Sequence, residues 1–269
     1  MIFTNDNKIK DSIVKKLNIR EDQHLDDPTK PMEKHQKTAW DKVYTPINIE
    51  FTKKYPGIVS HELIKWKYQR YVQDYFGTIA AVNGNVCRLL YYLDKNSLTD
   101  NIIAVYTSDQ GFYLNEHSCF DKWFIYNESF KTLLLTRWPN QIKSCITEEE
   151  MVQNLDFAQT FLEIAGVQAP DDMQEKSLTP LLKGQKESWD RDAVYYHYYE
   201  YLSSKHDVKR HYGTIKNYKF IYFCYNIDEC ELYGRKKDPQ EVLNAFNDPK
   251  YSDVVERNET KIKRDMQEV

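Results

Sequence analysis

The chain has 269 residues, 41% of them hydrophobic and 29% charged, a globular balance with length for one large domain or two modest ones. Its net charge of −4 comes without the clustered basic surface that nucleic acid binding needs, so no nucleic-acid partner is expected. No apolar run reaches membrane-span length, no apolar stretch follows Met1-Ile2-Phe3 to make a secretory signal, and five cysteines without Cys-x-x-Cys spacing argue against a disulfide framework.

The first 60 residues are polar, lysine-rich and weakly periodic, punctuated by Pro28, Pro31, Pro46 and Pro56. They read as a connecting or wrapping segment with short helices at 12–17 and 33–43. From 61 to 95, residues such as Leu63, Trp66, Tyr75, Ile79, Val82, Val86, Leu89 and Leu93 recur at three- and four-residue steps, which predicts a helix with a core-facing stripe. Asn83-Gly84-Asn85 is where that helix is expected to bend or break, since a glycine costs about 1 kcal/mol there.

The run Ile102-Ile103-Ala104-Val105-Tyr106 predicts a buried parallel strand, and 132–136 a second strand ended by Arg137-Trp138-Pro139. Residues 154–166 read as a helix closed by Gly166. This alternation argues for α/β layering over 61–188. After 189 the chain becomes aromatic and β-branched at 193–199, 210–216 and 218–223, with a turn at 216–219 and a charged tail from 251. A C-terminal subdomain, a small antiparallel sheet plus a terminal helix, is therefore expected over 189–269. Cys224 and Cys230 would pair only if two strands brought them together.

The chemistry concentrates after the first strand. Asp109 and Gln110 sit where that strand ends, followed by Gly111, and ligands in open α/β sheets bind at the carboxyl ends of strands. Two adjacent side-chain oxygens suit a hard cation such as calcium; equally, Asp109 could cap its own loop and Gln110 lie on the surface. His117 and Lys122 follow closely and could face an anion.

Several stretches, taken in order, resemble the sulfatases of the alkaline-phosphatase superfamily. Thr107-Ser108-Asp109-Gln110-Gly111 looks like that family's second metal motif, and Glu116-His117 with Asp121-Lys122 like its Gly-Glu-His-Gly and Asp-Lys elements. Glu128-Ser129-Phe130-Lys131-Thr132, Leu135-Thr136-Arg137-Trp138-Pro139 and Leu162-Glu163-Ile164-Ala165-Gly166 are similar to the segments that follow. Tyr218-Lys219-Phe220-Ile221, Glu231-Leu232-Tyr233 and Lys237-Asp238-Pro239 are like the C-terminal subdomain of bacterial carbohydrate sulfatases acting on glycosaminoglycan or N-acetylglucosamine 6-sulfates. The resemblance runs from about residue 40 to the end. Asn115 and Ser118 stand where the family has glycines, and non-glycine residues tolerate positive φ poorly, so this loop is where the geometry is expected to depart.

The resemblance implies a partial alkaline-phosphatase-like core and a sulfuric ester hydrolase acting on sulfated carbohydrates. Asp109 and Gln110 become ligands of Ca2+, ahead of Mg2+, and Lys122 a ligand of the sulfate and its bridging oxygen. His117 becomes either a group beside the leaving oxygen or a holder of the loop. His197, His206, Lys209, Arg210 and His211 are candidates for the sugar pocket, with half-buried strand packing the competing role. Members typically work in the periplasm, outside the cell or in lysosomes.

The family's formylglycine arises in Cys/Ser-x-Pro/Ala-x-Arg, and no cysteine or serine here has that pattern. The family's N-terminal Asp pair is also without a counterpart, since neither Asp26-Asp27 nor Asp171-Asp172 follows an apolar strand. The expectation is a C-terminal portion that is inactive alone and has the missing N-terminal half as its partner. A superfamily phosphatase or phosphonate hydrolase, and a non-catalytic glycan-binding fragment, are the alternatives.

Overall fold

A computed structural model describes residues 33–54, 61–199, 210–224 and 229–265. The chain divides into two compact units, Met1–Leu93 and Asp94–Val269. In the first, α1 (Lys34–Lys54) runs through Pro46, beyond the helix expected at 33–43, and α2 (His61–Lys95) follows. Trp40 stacks on Tyr44 at 4.0 Å, and Arg70 of α2, paired with Asp74, lies 5.2 Å from the Tyr44 ring. This packing offsets the hydrogen bond that Pro46 removes. The helix expected at 12–17 lies outside the described residues.

Two expectations for α2 fail. It is unbroken at Asn83-Gly84-Asn85, where Asn85 Nδ2 donates back to Ala81 O at 2.9 Å and braces the glycine turn. Its stripe is also not core along its whole length, for Ile79, Val82 and Leu89 are exposed.

The second unit begins with β1 (Ala104–Thr107), which pairs antiparallel with β4 (Leu134–Arg137) and sets Tyr106 opposite Leu135. β1 was expected to be buried and parallel; among the described residues β4 is its one neighbour, and Tyr106, Leu133 and Leu135 are exposed. Between them come the short pair β2 (Tyr113–Leu114) and β3 (Phe120–Asp121), then one helical turn, α3 (Asn127–Phe130).

α4 (Asp156–Ile164) ends as expected, with Gly166 at φ +69 and Val167 N donating to Leu162 O at 2.9 Å. Its first residue is a buried anchor. The Asp156 carboxylate takes both arms of Arg191, at 2.5 and 2.9 Å, and Arg191 also reaches Glu175 at 2.9 Å. α5 (Thr179–Leu182) leads to the main sheet.

That sheet is antiparallel in the order β5 (Val194–Tyr198), β6 (His211–Ile215), β7 (Tyr218–Phe223) and β8 (Glu229–Gly234). Period-two alternation splits the aromatics between its faces. Tyr212, Phe220, Tyr222 and Leu232 pack with Val254, Val255 and Ile262 of the terminal helix α6 (Ser252–Asp265). The other face takes the segment before α3: Phe124 meets Phe223, and Ile125 fills the space over Gly213, where a Cβ would stand 2.3 Å from Ile125 Cδ1. All five cysteines are free. The α/β class with a small C-terminal antiparallel sheet and closing helix stands as expected.

Candidate functional site

The loop after β1 folds on itself. Ser108 Oγ donates to Gln110 O at 2.8 Å, and Gln110 N donates to Asp109 Oδ1 at 3.1 Å. Asp109 is exposed and Gln110 half-buried, so their oxygens stand at the strand end. Gly111 then anchors the loop, its N–H donating to Ser129 O at 2.7 Å. A Cβ there would lie 2.0 Å from Glu128 O, so glycine is required by close approach of the α3 backbone.

The next loop is bent hard. Asn115, His117, Asp121 and Trp123 all have positive φ, at +102, +52, +77 and +94. Asn115 occupies one of the two positions where the resembled family has glycine, so the departure there is met by a left-handed asparagine. Such conformations cost on the order of 1–3 kcal/mol each and persist where the surroundings impose them. Here Leu114 N donates to Glu116 Oε2 at 2.6 Å, Cys119 N to Glu116 O at 2.8 Å, and Tyr113 OH to Phe124 O at 3.1 Å. Burial pushes the Cys119 thiol up to about 12, which leaves it protonated and unreactive.

His117 is half-buried and stacked on Tyr126 at 4.5 Å. Its Nε2 lies 3.2 Å from Glu128 Oε2, and the imidazole must be the donor because a carboxylate accepts. The Asp109 loop and the His117 loop thus converge on the single turn α3, one through Ser129 and the other through Glu128. Lys122 is half-buried at the end of β3, five residues before that turn.

Among the described residues, His117, Glu128 and Glu241 bring three ligand atoms within 4.8 Å of one another. A cation already serves this cluster, since Lys219 Nζ lies 2.6 Å from Glu241 Oε1. Asp109 and Gln110 suit a hard cation by type, but they are two donors where calcium takes six to eight. They would form part of a site.

The candidate sugar-binding residues do not gather in one place. His197 stands opposite Tyr212 and packs against Tyr199 and Tyr212 on the face that α6 covers. Burial and then Arg210 hold its pKa below the ordinary range, and both ring nitrogens lack a hydrogen-bond partner. His211 points to the opposite face, fully buried among Phe124, Tyr196, Tyr198 and Phe223. Arg210 is half-buried at the start of β6, and His206 and Lys209 lie outside the described residues.

Composition and spacing did not single out Glu128, Asn127, Lys219, Glu231 or Glu241, which tie the loops to the sheet. Tyr126 OH and Tyr233 OH donate to Glu231 Oε2 at 2.8 and 3.1 Å. Burial pushes the Glu231 carboxyl up, against the pull of the two phenols. A signal was present: Lys219 is the one charge within the aromatic strand Tyr218–Phe223.

The chain matches known proteins over most of its length. The pattern of the N-sulphoglucosamine sulphohydrolase C-terminal family covers residues 115–268, and that of the sulfatase family covers 21–167. An N-acetylglucosamine-6-O-sulfatase of Bacteroides thetaiotaomicron is 44% identical over 227 residues, 83% of this chain and 40% of that protein. A protein solved in complex with its substrate D-glucosamine-2-N,6-O-disulfate superposes with a TM-score of 0.84 at 38% identity, over 96% of this chain and 55% of its own. A phosphonate monoester hydrolase of Silicibacter pomeroyi shares the fold, with a TM-score of 0.68 at 19% identity over 80% of this chain and 44% of its own. The chain therefore spans about 40% of the length of the curated sulfatase it matches at 44% identity.

Proposed function

This chain belongs to the sulfatase family, and from that premise we propose that it carries one side of a sulfate-ester hydrolysis site for sulfated carbohydrates, N-acetylglucosamine-6-sulfate and related glycosaminoglycan units first among them. The carrying observation is the convergence of the Asp109-Gln110 loop and the His117 loop on α3, with Lys122 between His117 and α3 in sequence. The 44% identity to an N-acetylglucosamine-6-O-sulfatase supports the substrate class.

The family typically uses a metal ion, and the oxygen donors Asp109 and Gln110 favour calcium over a softer metal. When bound, that ion would offset negative charge on the sulfate oxygens. Lys122 offers a compact ammonium for the sulfate and the oxygen that leaves. His117, committed to Glu128 and stacked on Tyr126, holds the loop that presents Lys122.

The nucleophile is not in this sequence, because no cysteine or serine has the formylglycine pattern. Turnover therefore requires the polypeptide corresponding to the remainder of the relatives' length, the missing-half partner. The test is hydrolysis of N-acetylglucosamine-6-sulfate by the purified chain, alone and co-expressed with the unmatched N-terminal region of the 44%-identical relative. The expected result is no turnover alone, calcium-dependent turnover in the pair, and loss of at least about a hundredfold on Lys122→Ala. Turnover by the chain alone would overturn the partial-site reading. Glycan binding without turnover in either arrangement would instead favour a glycan-binding role, which the absent nucleophile also supports. Two bound transition-metal ions would favour the phosphatase alternative.

A further inference from the structure

Two fully buried side chains beneath the site loops form a pair that the proposed chemistry does not use. Lys219 rises from β7, and its ammonium donates to Ile125 O at 2.8 Å and Asn127 Oδ1 at 3.0 Å and lies 2.6 Å from Glu241 Oε1. The first two contacts are hydrogen bonds and the third is an ion pair by distance, and the Phe130 ring lies 5.5 Å away. Glu241 Oε2 in turn accepts Asn127 N–H at 2.8 Å. Glu241 sits at φ +54 in a tight turn, where Asp238 accepts from the N–H groups of Glu241, Val242 and Leu243. Asn127 Nδ2 donates to Pro239 O at 3.0 Å.

A buried ion pair of this kind is weak evidence for stability, because apolar residues of similar volume often serve as well or better. Its specific effect is to hold the backbone at Ile125 and Asn127 together with the Asn127 amide oxygen. The next two residues are the ones that grip the site loops, Glu128 through His117 and Ser129 through Gly111.

We propose that Lys219 and Glu241 are positioning residues for the candidate site: from the C-terminal sheet they fix the turn Asn127–Ser129, which sets the spacing of the Asp109-Gln110 loop from the His117 loop. The functional meaning rests on the sulfatase-site reading, but the coupling is measurable without substrate. The experiment is heteronuclear NMR on the whole chain carrying Lys219→Met and Glu241→Met together, which keeps apolar volume in place of the pair. The expected result is a folded protein with Val194–Tyr198 amides unmoved. The Gly111 amide and His117 imidazole signals shift, and Gly111 N–H loses about tenfold or more of its exchange protection.

A folded variant with Gly111 and His117 unchanged overturns the proposal. Should the double variant fail to fold, Glu241→Gln, which keeps the shape and an acceptor for Asn127 N–H, is read by the same two signals. Calcium chloride and sodium sulfate titrated into the wild-type chain test the site reading separately. Silence at Asp109, Gln110 and Lys122 counts against that reading, while the Gly111 and His117 result still decides the coupling.

Discussion

Gly111 carries more of the site than a loop glycine ordinarily would. Its role is contact, because the α3 backbone comes so close that no Cβ fits. Gly111→Ala is therefore expected to push the Asp109-Gln110 loop off Ser129 and to destabilise the chain by about 2–3 kcal/mol, the upper range for overpacking. Urea denaturation measures the loss, and a cost below about 0.5 kcal/mol would show that the loop has room to yield. His117 illustrates the complementary point. Its type and spacing suggested chemistry, but its partner Glu128 and its stacking on Tyr126 describe a side chain already engaged in holding structure.

At the level of elements, the strongest electrostatic fixture is the entry to α4. Asp156 is wholly buried, and Arg191 shares its charge with Glu175. Arg191→Met leaves Asp156 buried and uncompensated and is expected to cost about 3–5 kcal/mol. Chemical denaturation checks this, and a cost under about 1 kcal/mol would mean that water reaches the site. The sequence made α4 and three strands of the main sheet legible, because their periodicity and the terminal Gly166 are local signals. It did not reveal β8, although Glu229-Cys230-Glu231-Leu232 alternates polar and apolar residues, because that alternation is only four residues long and lacks β-branched residues. The continuity of α2 through Gly84 and of α1 through Pro46 was equally hidden, since packing and side-chain hydrogen bonds override propensity there. The site was legible as motifs. Its tie to the sheet through Lys219 and Glu241 was not, because those contacts link residues 90 or more positions apart.

At the scale of the whole molecule, the short match to longer relatives has a physical counterpart in exposed apolar surface. Tyr106, Leu133 and Leu135 share one face of the β1–β4 pair, an arrangement that soluble chains usually cover. Isolated chain is expected to self-associate at micromolar concentration, and Leu135→Lys with Tyr106→Lys to shift it toward monomer. Sedimentation velocity tests this, and equal association of both forms would place the contact elsewhere. The turn at Asn127 has a last consequence, in the order of biosynthesis. Its backbone partner Glu241 is made 114 residues later, so the motif loops leave the ribosome several seconds or more before their support exists, at about 5–20 residues per second. Until then Asn127 N–H lacks its acceptor and Lys219 its carboxylate, although the strands of the C-terminal sheet, which end at Gly234, are already made. Maturation of this half of the site is therefore a late, long-range event in synthesis, and a chain ending just before Glu241 would keep the motif and the sheet strands while leaving the turn at Asn127 without its last anchor.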